Sequence, residues 1–154
     1  MKLLFLTIIL ILTAVIDWKR MIIPNSLVLA IGVIAVWAWM TEKTPCLPDR
    51  IAGSLIISVP MMILNCAVKN GFGFGDVKLC MVSGFLLGMK GMLLTMFLAV
   101  FTGGVYAVIL LMKDRHNRGR RIPFGPFLAL GIWTARVFGN GIIDWYMELL
   151  RGGW

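Results

Sequence analysis

Long apolar runs separated by short polar breaks occupy nearly the whole chain, and they predict six helices over residues 3–23, 26–40, 51–68, 77–89, 92–112 and 124–138. The unbroken apolar part of the first run, residues 3–16, would rise only about 21 Å, short of a hydrocarbon core of ~30 Å. Its helix is therefore expected to continue through Asp17, Trp18, Lys19 and Arg20 to Ile23, where Pro24 disfavours helix at the residue before it. Asp17 then falls in the last turns of a membrane helix, near one interface. Lys2 before an apolar run also suits a signal peptide, but no small-residue cleavage site precedes Asp17, so the segment is expected to remain as a span.

The 154 residues are 60% hydrophobic and 14% charged, which excludes an ordinary water-soluble globule. The expected fold is all-α, a single polytopic integral membrane domain over residues 1–154 with about six transmembrane helices. The net charge of +8 raises nucleic-acid binding, but the basic residues are scattered among apolar runs and are better read as loop anchors, so no nucleic-acid partner is expected. With six spans, Lys19, Arg20, Lys69, Lys78, Lys113, Arg115, Arg118, Arg120 and Arg121 share one face of the membrane. Lys2, Lys43, Arg50, Lys90, Arg136 and Arg151 share the other, nine against six. The excess lies in the short loop 113–121, so that face is expected to be cytoplasmic in a cell (inner) membrane, with both termini outside. His116, within this loop, reads as a solvated residue.

Residues 142–151 place Asp144, Glu148 and Arg151 on one stripe, with Ile142, Tyr146, Leu149 and Leu150 largely opposite. This suits a short helix in the outer interface with Trp145 and Trp154 as belt residues. Gly84 and Gly88 form a small-xxx-small pair that predicts a close helix crossing, and the methionines read as packing. Cys46, Cys66 and Cys80 form no C-x-x-C, so neither a metal site nor a disulfide framework is inferred, and no cofactor is expected.

Candidate chemistry rests on two carboxylates. Asp17 and Asp76 alone combine an acidic side chain with the edge of an apolar helix on the expected cytoplasmic side, at one membrane depth. Ionisable groups so placed are costly and usually functional, although each could instead pair with a neighbouring lysine or arginine as an anchor. Two close carboxylates share one proton, which supplies a base to activate water and an acid for a peptide carbonyl. Asp76 opens a helix, where free N–H groups favour the ionised form, and this suggests Asp76 as base and Asp17 as acid. Around it, Gly71-Phe72-Gly73-Phe74-Gly75-Asp76 alternates glycine with aromatics and allows close approach of an extended peptide. It has neither phosphate-loop nor dinucleotide spacing. A small six-helix transporter or channel subunit using the aspartates for ions or protons is the alternative; it would place them nearer the midplane and show an inverted repeat, which is not seen.

Asp17 with Ile23-Pro24-Asn25, then Gly73-Phe74-Gly75-Asp76-Val77-Lys78-Leu79, then Ile122-Pro123-Phe124-Gly125-Pro126-Phe127 and the residues to Gly131, resembles the type IV prepilin peptidases, membrane aspartic proteases of the GxGD class. The three motifs span most of the chain in the family's order. The resemblance implies an aspartic endopeptidase that cuts the basic leader from prepilin, pseudopilin or archaellin-type precursors at the cytoplasmic face, in pilus biogenesis or protein secretion. It implies Asp17 and Asp76 as the catalytic pair. Longer members resemble this chain only in their later part; they carry an N-terminal region, often with paired C-x-x-C motifs, and also methylate the new N-terminus, so methyltransferase activity is not carried over. Lys19, Arg20 and Lys78 could attract anionic lipid or pair with the acidic residue that such precursors carry just after the cut. Pro24, Asn25, Gly73 and Gly75 complete the motif positions, and Pro123, Gly125 and Pro126 could shape the peptide groove. The precursor's identity and the oligomeric state are left open.

Overall fold

The structure, a computed structural model, describes residues 1–67, 73–113 and 122–151. The basic stretch 114–121 with His116, the residues Lys69, Gly71 and Phe72, and Trp154 lie outside them. The described elements are helices: α1 (Lys2–Arg20), α2 (Asn25–Thr41), α3 (Leu47–Ile56), α4 (Ser58–Ala67), α5 (Phe74–Lys113) and α6 (Gly125–Arg151). Leu47–Ala67 and Phe74–Lys113 are long and apolar enough by themselves to cross a membrane, and a third span results if Gly125–Gly139 and Gly141–Leu149 are taken together. α2 is apolar but shorter. Large apolar side chains such as Leu29, Val33, Phe97 and Phe101 face outward, as lipid requires and water does not. The protein is an all-α polytopic membrane protein.

Four expected boundaries are corrected. α1 stops at Arg20 rather than Ile23, because Met21 turns left-handed (φ 53°) and its N–H bonds the carbonyl of Asp17 at 2.8 Å. The chain then folds Ile23 into the core. The 19-residue helix still rises about 28 Å, because it starts at Lys2. The helix expected over 51–68 begins at Leu47, with Pro48 in its first turn, and is interrupted at Ile57. Pro60 explains the interruption: it has no N–H to give, and its ring crowds the carbonyl four residues back, at Ile56.

The largest correction concerns residues 77–112. The expected break at Lys90-Gly91 is displaced to Gly88, the only non-helical residue inside α5, with φ 75° and ψ 178°. The two arms of α5, 74–87 and 89–113, run in opposite directions. The first starts beside Asp17 and reaches Pro45 and Asp49 at Gly88. The second returns, with Leu94 near Gly139, Thr95 at Gly131, Phe127 on Gly103, and Tyr106 against Trp18. Gly84 does make the expected close crossing: a Cβ there would stand 2.1 Å from the carbonyl oxygen of Gly53 on α3. α6 turns by 71° between Gly125–Gly139 and Gly141–Leu149, so the 142–151 segment leaves the bundle axis as its amphipathic stripe suggested.

Two ends result. At one, α1 and the second arm of α5 finish while α2, α5 and α6 begin. At the other, Glu42 after α2 bridges Lys2 (3.2 Å) and Arg136 (2.6 Å). Partial burial opposes ionisation of Glu42, but the hydrogen bonds and charges of Arg136 and Lys2 outweigh it and hold the carboxyl below the ordinary glutamate range. A group lowered on folding stabilises above its unfolded pKa and loses that contribution as pH falls through the folded one. Glu42→Gln is therefore expected to lower the melting temperature at pH 7, with the difference from the parent protein shrinking as pH falls below about 4. Melting curves across pH 3–7 check this.

Candidate active site

Asp17 and Asp76 meet at the first of these ends. Asp17 sits in the last turn of α1, almost fully buried, and its Oδ2 accepts the backbone N–H of Gly125, the first residue of α6, at 2.9 Å. That contact depends on glycine: a Cβ at 125 would stand 2.6 Å from the same oxygen. Asp76 lies in the first turn of α5, its N–H bonded to the Gly73 carbonyl at 3.0 Å. Its Oδ1 is buried with no hydrogen-bond partner among the described residues. The charge of Asp17 acts on Asp76 directly. Neither carboxylate has a basic partner among the described residues, where the salt bridges are those of Glu42. Among the described residues, then, the anchoring alternative finds no such pairing.

The flanking motif residues divide into contacts and rims. Gly75 lies under Ile23, to which a Cβ would come within 2.9 Å, so Ile23 packs on the turn of chain that delivers Asp76, while Pro24 caps the start of α2. Lys78 Nζ donates to Asn25 Oδ1 at 3.1 Å and ties α5 to the start of α2. Lys19 and Arg20 end α1 with exposed side chains. Pro123 is half-buried in the turn before α6 and Pro126 in its first turn. Among the described residues no group of three His, Cys, Asp or Glu side chains converges as metal ligands would.

Sequence reasoning missed the aromatic support beside the pair. Trp18 packs edge-on against Tyr106 (5.6 Å between centroids), and Tyr106 against Phe127 (5.5 Å), so one ladder joins α1, the second arm of α5 and α6. The adjacency of Trp18 to Asp17, and of Phe127 to Pro126, was the available signal.

The profile of the type IV leader peptidase family matches residues 4–108. The prepilin leader peptidase/N-methyltransferase of Aeromonas salmonicida is 28% identical over 157 residues, covering 96% of this chain and 52% of that protein. The proteins of the same name from Bacillus subtilis (27% identical; 93% and 58% covered) and Pseudomonas aeruginosa (30%; 88% and 48%) are similar in kind. The chain spans about half the length of these curated relatives. No solved structure matches it. None of these likenesses supports the transporter alternative. With the three motifs in order and the two aspartates brought to one end of the bundle, the match establishes that the chain belongs to the type IV leader peptidase family.

Proposed function

We propose that this chain is one membrane-embedded aspartic endopeptidase domain that removes the basic leader from type IV prepilin-like precursors at the cytoplasmic face of the membrane. The observation that carries the reading is the convergence of Asp17 and Asp76, from α1 and α5, without a basic partner among the described residues. The charge bias along the chain supports a cytoplasmic dyad with both termini outside. Peptide cleavage alone is assigned; the methyl transfer named for the longer relatives is not.

In this mechanism water held by the pair attacks the scissile carbonyl without a covalent acyl-enzyme. Asp17 is held as an acceptor by the Gly125 N–H at the start of α6, where the helix dipole favours negative charge, so Asp17 takes the proton from water. Asp76 gives its proton to the carbonyl oxygen. The roles are thus the reverse of those suggested by the sequence, where the cap on Asp17 could not be foreseen. As the tetrahedral diol collapses, Asp17 passes its proton to the leaving nitrogen, Asp76 recovers one from the diol, and the C–N bond breaks. The products are a leader ending in a carboxyl and a mature chain with a new amino terminus. Lys19 and Arg20, exposed beside the pair, are placed to meet an acidic residue just past the cut.

Incubating the purified protein in detergent with a prepilin-like precursor and sequencing the product's N-terminus tests the assignment; an intact precursor overturns it. A second expectation concerns the anchor. Gly125→Ala is expected to lower kcat about 100-fold with KM little changed, because its Cβ displaces the Asp17 carboxyl. Alanine is otherwise favoured in a helix, so melting curves measured beside the kinetics distinguish a displaced carboxyl from general unfolding.

A further inference from the structure

A dyad at the edge of the bundle leaves a geometric question: on the proposed function, with the resemblance implying a precursor whose hydrophobic stalk stays in the bilayer, the apolar helix past the cut must lie against the peptidase. Three cavities bear on it. One, lined by Asp49, Lys90, Arg136 and Asp144 among others, sits at the end opposite the dyad and is polar. A second, lined by Val137, Phe138, Gly141, Ile142 and Trp145, lies at the bend of α6. The third, about 360 Å³, runs along the seam between α1 and α6 and is lined by Thr7, Leu10, Ile11, Ala14, Pro126, Ala129, Leu130 and Trp133.

The seam is continuous with the candidate site on both walls. On α1, residues 7, 10, 14 and 17 follow the three-four spacing of one helical face, so the wall that begins at Thr7 ends at Asp17. On α6, Pro126, Ala129, Leu130 and Trp133 form the corresponding face, and Gly125 precedes it by one residue. The Asp17–Gly125 hydrogen bond therefore closes the head of the groove. Near that head the lining is small, with Ala14, Pro126 and Ala129, the residue type that admits close helix approach in lipid. At the far end Trp133 Nε1 donates to Thr7 Oγ1 at 3.1 Å and closes the floor. From Thr7 to Ala14 the groove extends about 10 Å, two turns of helix. Ile11 and Leu130 form its exposed lips.

We propose that this α1–α6 groove seats the first two turns of the precursor's apolar helix after the scissile bond, and so sets the cut at the membrane edge. The proposal rests on the protease reading above. The occupant's chemistry follows from the lining: among the described residues no charged side chain lines it, and its polar groups, Thr7 and the Trp133 N–H, bond each other.

Cross-linking tests it. In an Asp76→Asn background with Cys46, Cys66 and Cys80 replaced by alanine, a single cysteine is introduced by Ile11→Cys, Leu130→Cys or, on α2, Val33→Cys. The probe is a synthetic precursor with a basic leader, a cleavage site and a 20-residue apolar helix, carrying one cysteine at successive positions of its first three turns. Ile11→Cys and Leu130→Cys are expected to cross-link with helical periodicity, and Val33→Cys not at all. Equal or stronger products from Val33→Cys overturn the proposal. So does an absence of products from both lips while the cysteine-free Asp76 parent still cuts the precursor, since lipid chains then occupy the groove. In a second measurement, Ala14→Leu is expected to reduce kcat/KM on this precursor about tenfold more than on a peptide truncated just past the cut; equal losses count against the groove. Failure of the parent to cut either substrate overturns the protease reading itself.

Discussion

Asparagine at position 76 is expected to lower leader cleavage about 1,000-fold or more, with the protein still folded and membrane-inserted. The reason is the division of labour within the pair. Asn cannot deliver a proton to the carbonyl oxygen as the tetrahedral centre forms, yet it fills the volume of Asp76. Asp76 Oδ1 has no hydrogen-bond partner among the described residues, so replacing that oxygen by an amide nitrogen breaks no hydrogen bond there. Asp17→Asn is expected to lose as much activity for the complementary reason, since a carboxamide is too weak a base to activate water. Its Oδ1 can still accept the Gly125 N–H, so the α1–α6 junction is retained. The double variant should be no slower than either single one, because groups that act as a unit do not contribute additively. Single-turnover cleavage in detergent, beside circular dichroism and melting curves, checks all three. Activity within tenfold of the parent in either single variant would remove the pair from the mechanism.

That Asp17 and Asp76 share one end of the bundle was legible because counting spans places both at the same face, and a carboxylate at the edge of an apolar helix singles itself out by its cost. The Gly84 crossing and the departure of residues 142–151 from the bundle were legible for similar reasons: small residues at helical spacing, and charges on one stripe. What the sequence concealed were features decided by partners distant along the chain. A polar Lys90 beside Gly91 looked like a break, but both are helical, and the reversal falls where Asp49 and Pro45 meet Gly88. Local propensity could not identify the first residue of α6 as the group that holds Asp17, because the two are 108 positions apart. Arg50, which by sequence belongs with the loop charges of the outer face, is fully buried.

Arg50→Met is accordingly expected to destabilise the protein by about 3 kcal/mol or more, although the site is at the opposite end from the dyad. The break at Gly88 leaves the last carbonyls of the first α5 arm and the first N–H groups of the second without helical partners. Two adjacent residues of α3 serve both sets. Arg50 Nη1 donates to the carbonyls of Phe85 (3.1 Å) and Leu86 (3.4 Å), and its Nε donates to Pro45 at 2.9 Å. Asp49 Oδ1 accepts the N–H of Met89 at 3.4 Å. Methionine matches the length of the arginine stem but donates nothing, so these carbonyls are left dry. Lysine should recover only part of the loss, because a single ammonium cannot reproduce a planar fork that reaches several carbonyls. Gly88→Ala attacks the same reversal from the backbone side. Its φ and ψ lie in a region essentially reserved for glycine, and a Cβ would stand 2.5 Å from Asp49 Oδ2 and 2.9 Å from Pro45. Thermal or denaturant unfolding in detergent measures both. If Arg50→Met melts with the parent protein, the carbonyls it leaves find other donors, and the α3 staple is not what holds the two arms of α5 together.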